Sequence, residues 1–178
     1  MNIKKLSNTA VKFITNRLIE IFGICVLLMG VLILIALVSY SPEDPNFIFP
    51  ENTIIKNVLG HQGSIASDFI FQSIGLIGYL LPLTYIFTGL NIFKKKEILI
   101  VIENTFFIVI YLLSGSLFFS NFYTENFTLY INGSGGFVGN YLSNNFFINL
   151  LDTYKNFSYY LLIILTLFFF ILSLNFNL

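Results

Sequence analysis

The stretch Ile21-Phe22-Gly23-Ile24-Cys25-Val26-Leu27-Leu28-Met29-Gly30-Val31-Leu32-Ile33-Leu34-Ile35-Ala36-Leu37-Val38 carries no charged and no strongly polar side chain. As a helix rising ~1.5 Å per residue it reaches ~27 Å, close to the ~30 Å hydrocarbon thickness of a bilayer. Its uncharged surroundings run from Glu20 to Glu43. Comparable uncharged stretches follow at Phe69–Phe93, Asn104–Thr124 (with the apolar run Ile98–Ile102 just before it) and Asn156–Leu178. Four transmembrane helices are therefore predicted, at about 19–39, 67–92, 98–120 and 158–176, in an all-α integral membrane fold.

Composition agrees. The chain is 56% hydrophobic and only 10% charged, with a mean hydropathy of +0.83, where a soluble domain carries roughly 25% charged residues. An ordinary cytosolic enzyme could not cover its surface with so few charges, and disorder requires the opposite composition. Cys25 is the one cysteine, so no intramolecular disulfide framework exists. The basic segment before helix 1 raises a signal peptide, but eighteen apolar residues exceed the usual ~7–15. Ser39-Tyr40-Ser41-Pro42 is also a poor cleavage site, which leaves an uncleaved anchor.

Lys4, Lys5, Lys12, Arg17, Lys94, Lys95 and Lys96 fall on one side of the predicted spans, and Lys56 and Lys155 on the other. The positive-inside rule then puts both termini in the cytoplasm and loops 40–66 and 121–157 outside. Residues 1–18 form a basic cytoplasmic segment and 19–178 a four-helix membrane domain. With Glu20, Glu97 and Glu103 inside, the zero net charge separates into an inner excess of positive charge and an equal outer excess of negative charge. Tyr40, Tyr123, Tyr130, Tyr141, Tyr154, Tyr159 and Tyr160 lie in or beside the outer segments, where such rings favour headgroup level. Ile3, Leu6, Ala10, Phe13 and Ile14 have one-face spacing, so an in-plane helix and a plain topogenic flank both fit residues 1–18.

The uncharged segment Asn126–Leu151 contains Asn132-Gly133-Ser134-Gly135-Gly136 and is too polar to face lipid. It reads as a loop with a short interfacial or re-entrant element. Pro82 lacks the N–H that would bond the carbonyl of Gly78, so a kink is expected mid-helix 2. Gly23, Gly30, Gly75, Gly78, Gly89 and Ser114-Gly115-Ser116 offer close helix contacts, although glycine is common in membrane helices.

Candidate chemistry is sparse, and no catalytic, cofactor-binding or metal residue is assigned. His61 has no partner at ligand spacing and reads as a solvated loop histidine. Cys25 reads as a small hydrophobe within helix 1. Glu103 lies about 10 Å along a helix from Lys96, so snorkelling toward the lysines explains it without a proton relay. Gly133–Gly139 does not fit G-x-G-x-x-G, and no phosphate-loop motif occurs in the chain.

Helix 1 exits through Ser39-Tyr40-Ser41-Pro42-Glu43-Asp44-Pro45-Asn46-Phe47. The outer loop continues Asn57-Val58-Leu59-Gly60-His61-Gln62-Gly63-Ser64-Ile65-Ala66-Ser67-Asp68, and helix 2 carries Gly75, Pro82 and Gly89. This order resembles the N-terminal four-helix membrane region of the FtsK/SpoIIIE family of bacterial DNA translocases, with Ser64 where alanine is common. Gly135-Gly136-Phe137-Val138-Gly139 resembles the family's glycine-rich segment before helix 4. In residue terms, Pro42 and Pro45 end helix 1, and Glu43 and Asp44 are expected in water. Gly60 and Gly63 permit turns, while Ser64 or Ser67 can cap helix 2 and Asp68 suits its N-terminus.

The resemblance implies a membrane anchor and septal-targeting region, acting in cell division and chromosome segregation at the bacterial inner membrane. It further implies other septal membrane proteins as partners, homo-oligomers in the full-length context, and no nucleic acid bound by this segment. The ATPase motor of such proteins is absent from this chain, and an end without basic residues after the last span favours a fragment. The competing expectation is a small multipass transporter or channel component, motivated by Glu103, the Pro82 kink and the glycine segment.

Overall fold

A computed structural model describes residues 3–45, 54–123 and 132–175, including side chains except those of residues 3–7, 148 and 152. Asn46, Phe47, Glu51, Glu125 and Tyr130 therefore lie outside the described residues. All regular structure among those described is helical: α1 Ile3–Val38, α2 Gly60–Ile74, α3 Leu80–Lys95, α4 Ile100–Phe122, α5 Gly136–Leu142, α6 Ile148–Thr153 and α7 Lys155–Ser173. Four stretches are long and apolar enough to cross a membrane: Asn8–Val38, Gly60–Lys95, Ile100–Phe122 and Lys155–Ser173. The four expected spans are thus present. The flank before the first span is part of α1 itself, one continuous helix of 36 residues.

The second span departs from expectation in detail. Its helix starts at Gly60 and breaks at Gly75–Tyr79, a 3-10 segment. The break centres on Gly75, whose φ of +71° is a left-handed conformation that favours glycine. Residues eight apart on a straight helix stand about 12 Å apart, yet a Cβ on Gly78 would come within 2.7 Å of Ile70 Cγ2, so the chain turns sharply here. The bend expected mid-helix is thus present, at Gly75–Tyr79 just before Pro82. Pro82 itself occupies the first turn of α3, where its missing N–H costs little.

Glycine also sets the pairing of α1 with α3, which run antiparallel. A Cβ on Gly23 would lie 2.9 Å from the Gly89 carbonyl oxygen, and one on Gly30 would lie 2.9 Å from that of Pro82. Gly89 returns the fit, with Leu27 N 2.5 Å from its would-be Cβ. These glycines are therefore contact residues that let two backbones meet. Gly115 plays the same part on α4, against the side chain of Ile77.

Polar pairs join the other helices. Thr84 Oγ1 of α3 lies 3.1 Å from Tyr111 Oη of α4 and 3.3 Å from Ser173 Oγ of α7. Asn104 Nδ2 donates to Thr88 Oγ1 at 2.7 Å, and Thr166 Oγ1 donates to Ser114 Oγ at 3.0 Å. In an apolar medium each such bond contributes modestly, ~0.6 kcal/mol on average, but fixes rotation and register. Tyr111 is fully buried and meets Phe170 edge-on at 5.6 Å.

One end of the bundle gathers charge. Lys96 closes α3 in the left-handed conformation and places Nζ 2.9 Å from Glu20 Oε1. Arg17 pairs with the same carboxylate. The end of α7 arrives at this level too: Asn91 Nδ2 donates to Leu174 O at 3.0 Å and Lys95 Nζ to Asn175 Oδ1 at 3.2 Å.

Candidate functional site

At the opposite end, the two sequence motifs fold into one knot. Past Val38, Ser39 Oγ donates back to Ile35 O at 2.7 Å and accepts from Val58 N–H at 3.2 Å. Asp44 is 1% exposed. Its Oδ1 accepts from Lys56 N and its Oδ2 from Asn57 N, both at 2.8 Å. These charge-assisted bonds replace the water that a carboxylate otherwise needs. Asp44 is therefore not the solvated exit residue expected beside Glu43. Glu43 is solvated, and pairs with Lys56 across the rim.

Asn57 links the loop to α1. Its Nδ2 donates to Ala36 O at 2.9 Å, satisfying a carbonyl of the last helical turn, and its Oδ1 accepts from Leu59 N at 3.1 Å. Gly63 leaves no room for a Cβ against Asn57 Oδ1, and Gly60 has a φ of +66°. Ser64 and Ser67 do not cap α2, because the helix begins earlier, at Gly60, with Leu59 as an N-cap lacking a side-chain bond. Ser64 Oγ instead donates to Pro45 O at 2.9 Å, and Ser67 Oγ to Gly63 O at 2.8 Å. A hydroxyl at 64, in place of alanine, thus ties the loop to α2. Tyr40 Oη donates to Asp68 Oδ1 at 3.3 Å. Phe71 fills the centre, with its ring 4.9 Å from Tyr40 and 5.0 Å from Tyr79.

The glycine-rich segment builds a second junction on the break in the second span. Ser134 O accepts from Leu76 N at 2.9 Å, and Ser116 Oγ donates to Ile74 O at 2.8 Å. Gly75 has no room for a Cβ against Ser134 O, and neither has Gly139 against Ser116 O. Gly136, at φ +65°, would bring a Cβ within 2.5 Å of Gly75 N. Asn132 Nδ2 donates to Gln72 O at 3.2 Å, Ser120 Oγ to Asn140 Oδ1 at 2.6 Å, and Asn140 Nδ2 to Asn132 O at 2.8 Å. The segment is an ordered plug shielded by α2 and α4, as irregular backbone beside lipid requires. Ser116 stands about 9 Å along the axis before the end of α4, so α5 lies against the last two turns of α4.

The singled-out residues lie elsewhere. His61 is exposed in the first turn of α2, and Cys25 is exposed on α1. Glu103 is exposed in the first turn of α4, and the lysine that finds a carboxylate nearby, Lys96, pairs with Glu20 instead. Glu20 was not legible as more than a span boundary, although Arg17 three residues earlier is a helical ion-pair spacing. Among the described residues no three of His, Cys, Asp and Glu come together. Of the three features that motivate transport, Glu103 faces outward, Pro82 starts a helix, and the glycine segment packs helices. Tyr123, Tyr141, Tyr154, Tyr159 and Tyr160, expected at headgroup level, are exposed.

Comparison with known proteins follows the motifs. The DNA translocase FtsK of Rickettsia typhi is 29% identical over 133 residues, covering 75% of this chain and 17% of the relative. Its counterpart in Rickettsia bellii is 33% identical over 87 residues, covering 48% of this chain and 11% of the relative. The Azospirillum brasilense DNA translocase FtsK is 30% identical over 88 residues, covering 48% and 14%. The chain thus spans less than a fifth of the length of these relatives. No solved structure matches. The profile described as the 4TM region of DNA translocase FtsK/SpoIIIE matches residues 15–178, and with four membrane-spanning helices and both motif junctions in place, this chain belongs to that family as its multi-pass membrane region, not its ATPase part.

Proposed function

We propose that this chain anchors an FtsK-type DNA translocase in the bacterial inner membrane and targets it to the division septum, serving cell division and chromosome segregation. The observation that carries the reading is the family match over residues 15–178. Charge supports the orientation: Arg17, Lys95, Lys96 and the end of α7 share one end of the bundle. The positive-inside rule assigns that end to the cytoplasm. Both termini then face the side where an ATP-driven motor works on DNA, and loops 40–66 and 121–157 face outward, available to other septal membrane proteins. Residues 1–18 are then cytoplasmic and 19–178 membrane-bound, and copies associate in the full-length protein. Nucleic acid binding and nucleotide chemistry fall to the motor, so this segment assigns no catalytic, cofactor or metal residue.

A fusion of residues 1–178 to a fluorescent protein, expressed in dividing cells, tests the reading. Fluorescence concentrated at mid-cell constrictions is expected. Even fluorescence around the whole membrane overturns septal targeting, and an alkaline phosphatase fusion active at the C-terminus overturns the orientation.

A further inference from the structure

A sizeable cavity lies outside both motif junctions. It lies between α4 and α7 beneath the α5–α6 connection, with a volume of about 420 Å³. Leu113 and Leu117 of α4, Leu142 of α5, Phe147, Leu151 of α6 and Leu162 of α7 make its apolar wall. That size falls within the ~300–1,000 Å³ of ordinary ligand sites. From Ser158 to Leu165, both lining residues, the cavity runs about 10 Å along α7, within the ~15 Å depth of one hydrocarbon leaflet.

One polar atom breaks the apolar lining without a partner. Ser158 is 2% exposed, and its Oγ makes no hydrogen bond. A buried helical serine ordinarily bonds the carbonyl four residues back. Here Tyr154 O takes the helical N–H of Ser158 at 2.8 Å but not its hydroxyl. A buried unsatisfied hydroxyl is costly in an apolar medium, and Ser158 is among the residues that line the cavity, one turn below the start of α7. Exposed Lys155 stands three residues earlier, on the same helical face. The first N–H groups of α7 have no helical acceptors and add positive potential there.

We propose that this cavity is a binding site for an anionic phospholipid. One acyl chain fills the apolar cleft, the ester carbonyl accepts from Ser158 Oγ–H, and the phosphate lies at Lys155 and the N-terminus of α7. Each part of the ligand meets a matching part of the site in the right order of depth: charge at the rim, one donor below it, and hydrocarbon beneath. Binding also buttresses the α4–α7 pair where α5 and α6 cover it.

The chain contains no tryptophan, so a single reporter is free of background. Phe147→Trp puts a reporter in the cavity wall, and Phe168→Trp puts one on an exposed face of α7 as the bulk-lipid control. Each variant of the 178-residue chain is reconstituted into phosphatidylcholine vesicles in which brominated phosphatidylglycerol, a collisional quencher, is the minor lipid. Quenching at 147 is expected to exceed that at 168 as if the anionic lipid were enriched about fivefold, the effect of one lysine near the headgroups. Adding Lys155→Gln or Ser158→Phe should bring the two positions level while helix content by circular dichroism stays unchanged. Equal quenching of the two parent reporters overturns the proposal. So does equal enrichment of brominated phosphatidylcholine, which indicates a cleft without headgroup preference. Absence of quenching at 147 also overturns it, since protein rather than lipid then covers the cavity.

Discussion

The backbone N–H of Leu76 donates to the carbonyl oxygen of Ser134 at 2.9 Å, joining the break in the second span to the segment that opens α5. One chain segment leaves a donor free by abandoning helical geometry, and another supplies the acceptor. Neither irregularity would be tolerable next to lipid without the other.

Two glycines of the same local backbone sign should therefore respond differently to alanine. Gly133 and Gly136 both have positive φ, but only Gly136 is crowded by neighbouring backbone. Gly133→Ala should cost about 1 kcal/mol, the conformational term alone. Gly136→Ala should cost on the order of 3 kcal/mol, because strain and overpacking add. Thermal unfolding in detergent micelles measures the difference, and equal losses would remove the junction as its cause.

Asp44 should tolerate no neutral isostere. Asp44→Asn sets an amide N–H against a backbone N–H of Lys56 or Asn57, with an expected loss of about 2–3 kcal/mol. Glu43→Gln, at the exposed neighbour, should lie within about 0.5 kcal/mol of the parent. Hydrogen exchange at the amides of Lys56 and Asn57 reports the same contrast residue by residue.

Lys96 combines a left-handed backbone with an ion pair to Glu20. Lys96→Gly keeps the backbone preference and loses the charge, while Lys96→Ala loses both. The alanine variant should be less stable than the glycine variant by about 1 kcal/mol. Identical midpoints in chemical unfolding would mean that the C-cap geometry carries no energy.

The rim pair gives a pH signature. The hydrogen bond from Lys56, then its charge, hold the Glu43 carboxyl below its ordinary value of 4.5. The stabilisation is thus present above pH 4.5 and is lost as pH falls through the depressed value. Glu43 raises the Lys56 ammonium above its ordinary 10.5, so the pair's contribution is full below that pH and fades as pH climbs past the raised value. Both groups are solvent-exposed, and salt should weaken the effect. Midpoints measured from pH 3 to 6 should converge for the parent and Glu43→Gln at the acid end, and in high salt throughout.

Hydrophobic runs made the four spans legible because a bilayer demands about 20 apolar residues whatever the helices touch. The motif segments were legible as turns, but not as one knot. Asp44 sits next to the solvated Glu43, and nothing local distinguishes the two. The difference comes from Lys56 and Asn57, whose N–H groups arrive from a dozen residues away. Proline drew attention to residue 82 because its effect is covalent, whereas the break at Gly75 depends on a carbonyl from Ser134, 59 positions later. Ser158 gave no signal, since its lack of a partner is a property of packing.

The meeting of α7 with α3 at Asn91, Lys95 and Asn175 has a mechanical consequence. Tension applied at Asn175 along the bundle axis loads these hydrogen bonds, the Thr84–Ser173 contact and the α4–α7 packing together. Helices loaded lengthwise resist by shear, with many contacts yielding at once, whereas a sideways pull peels them one at a time. The force then passes from α3 to α1 through the backbone contact of Gly23 with Gly89, spreading a load on one helix across the bundle.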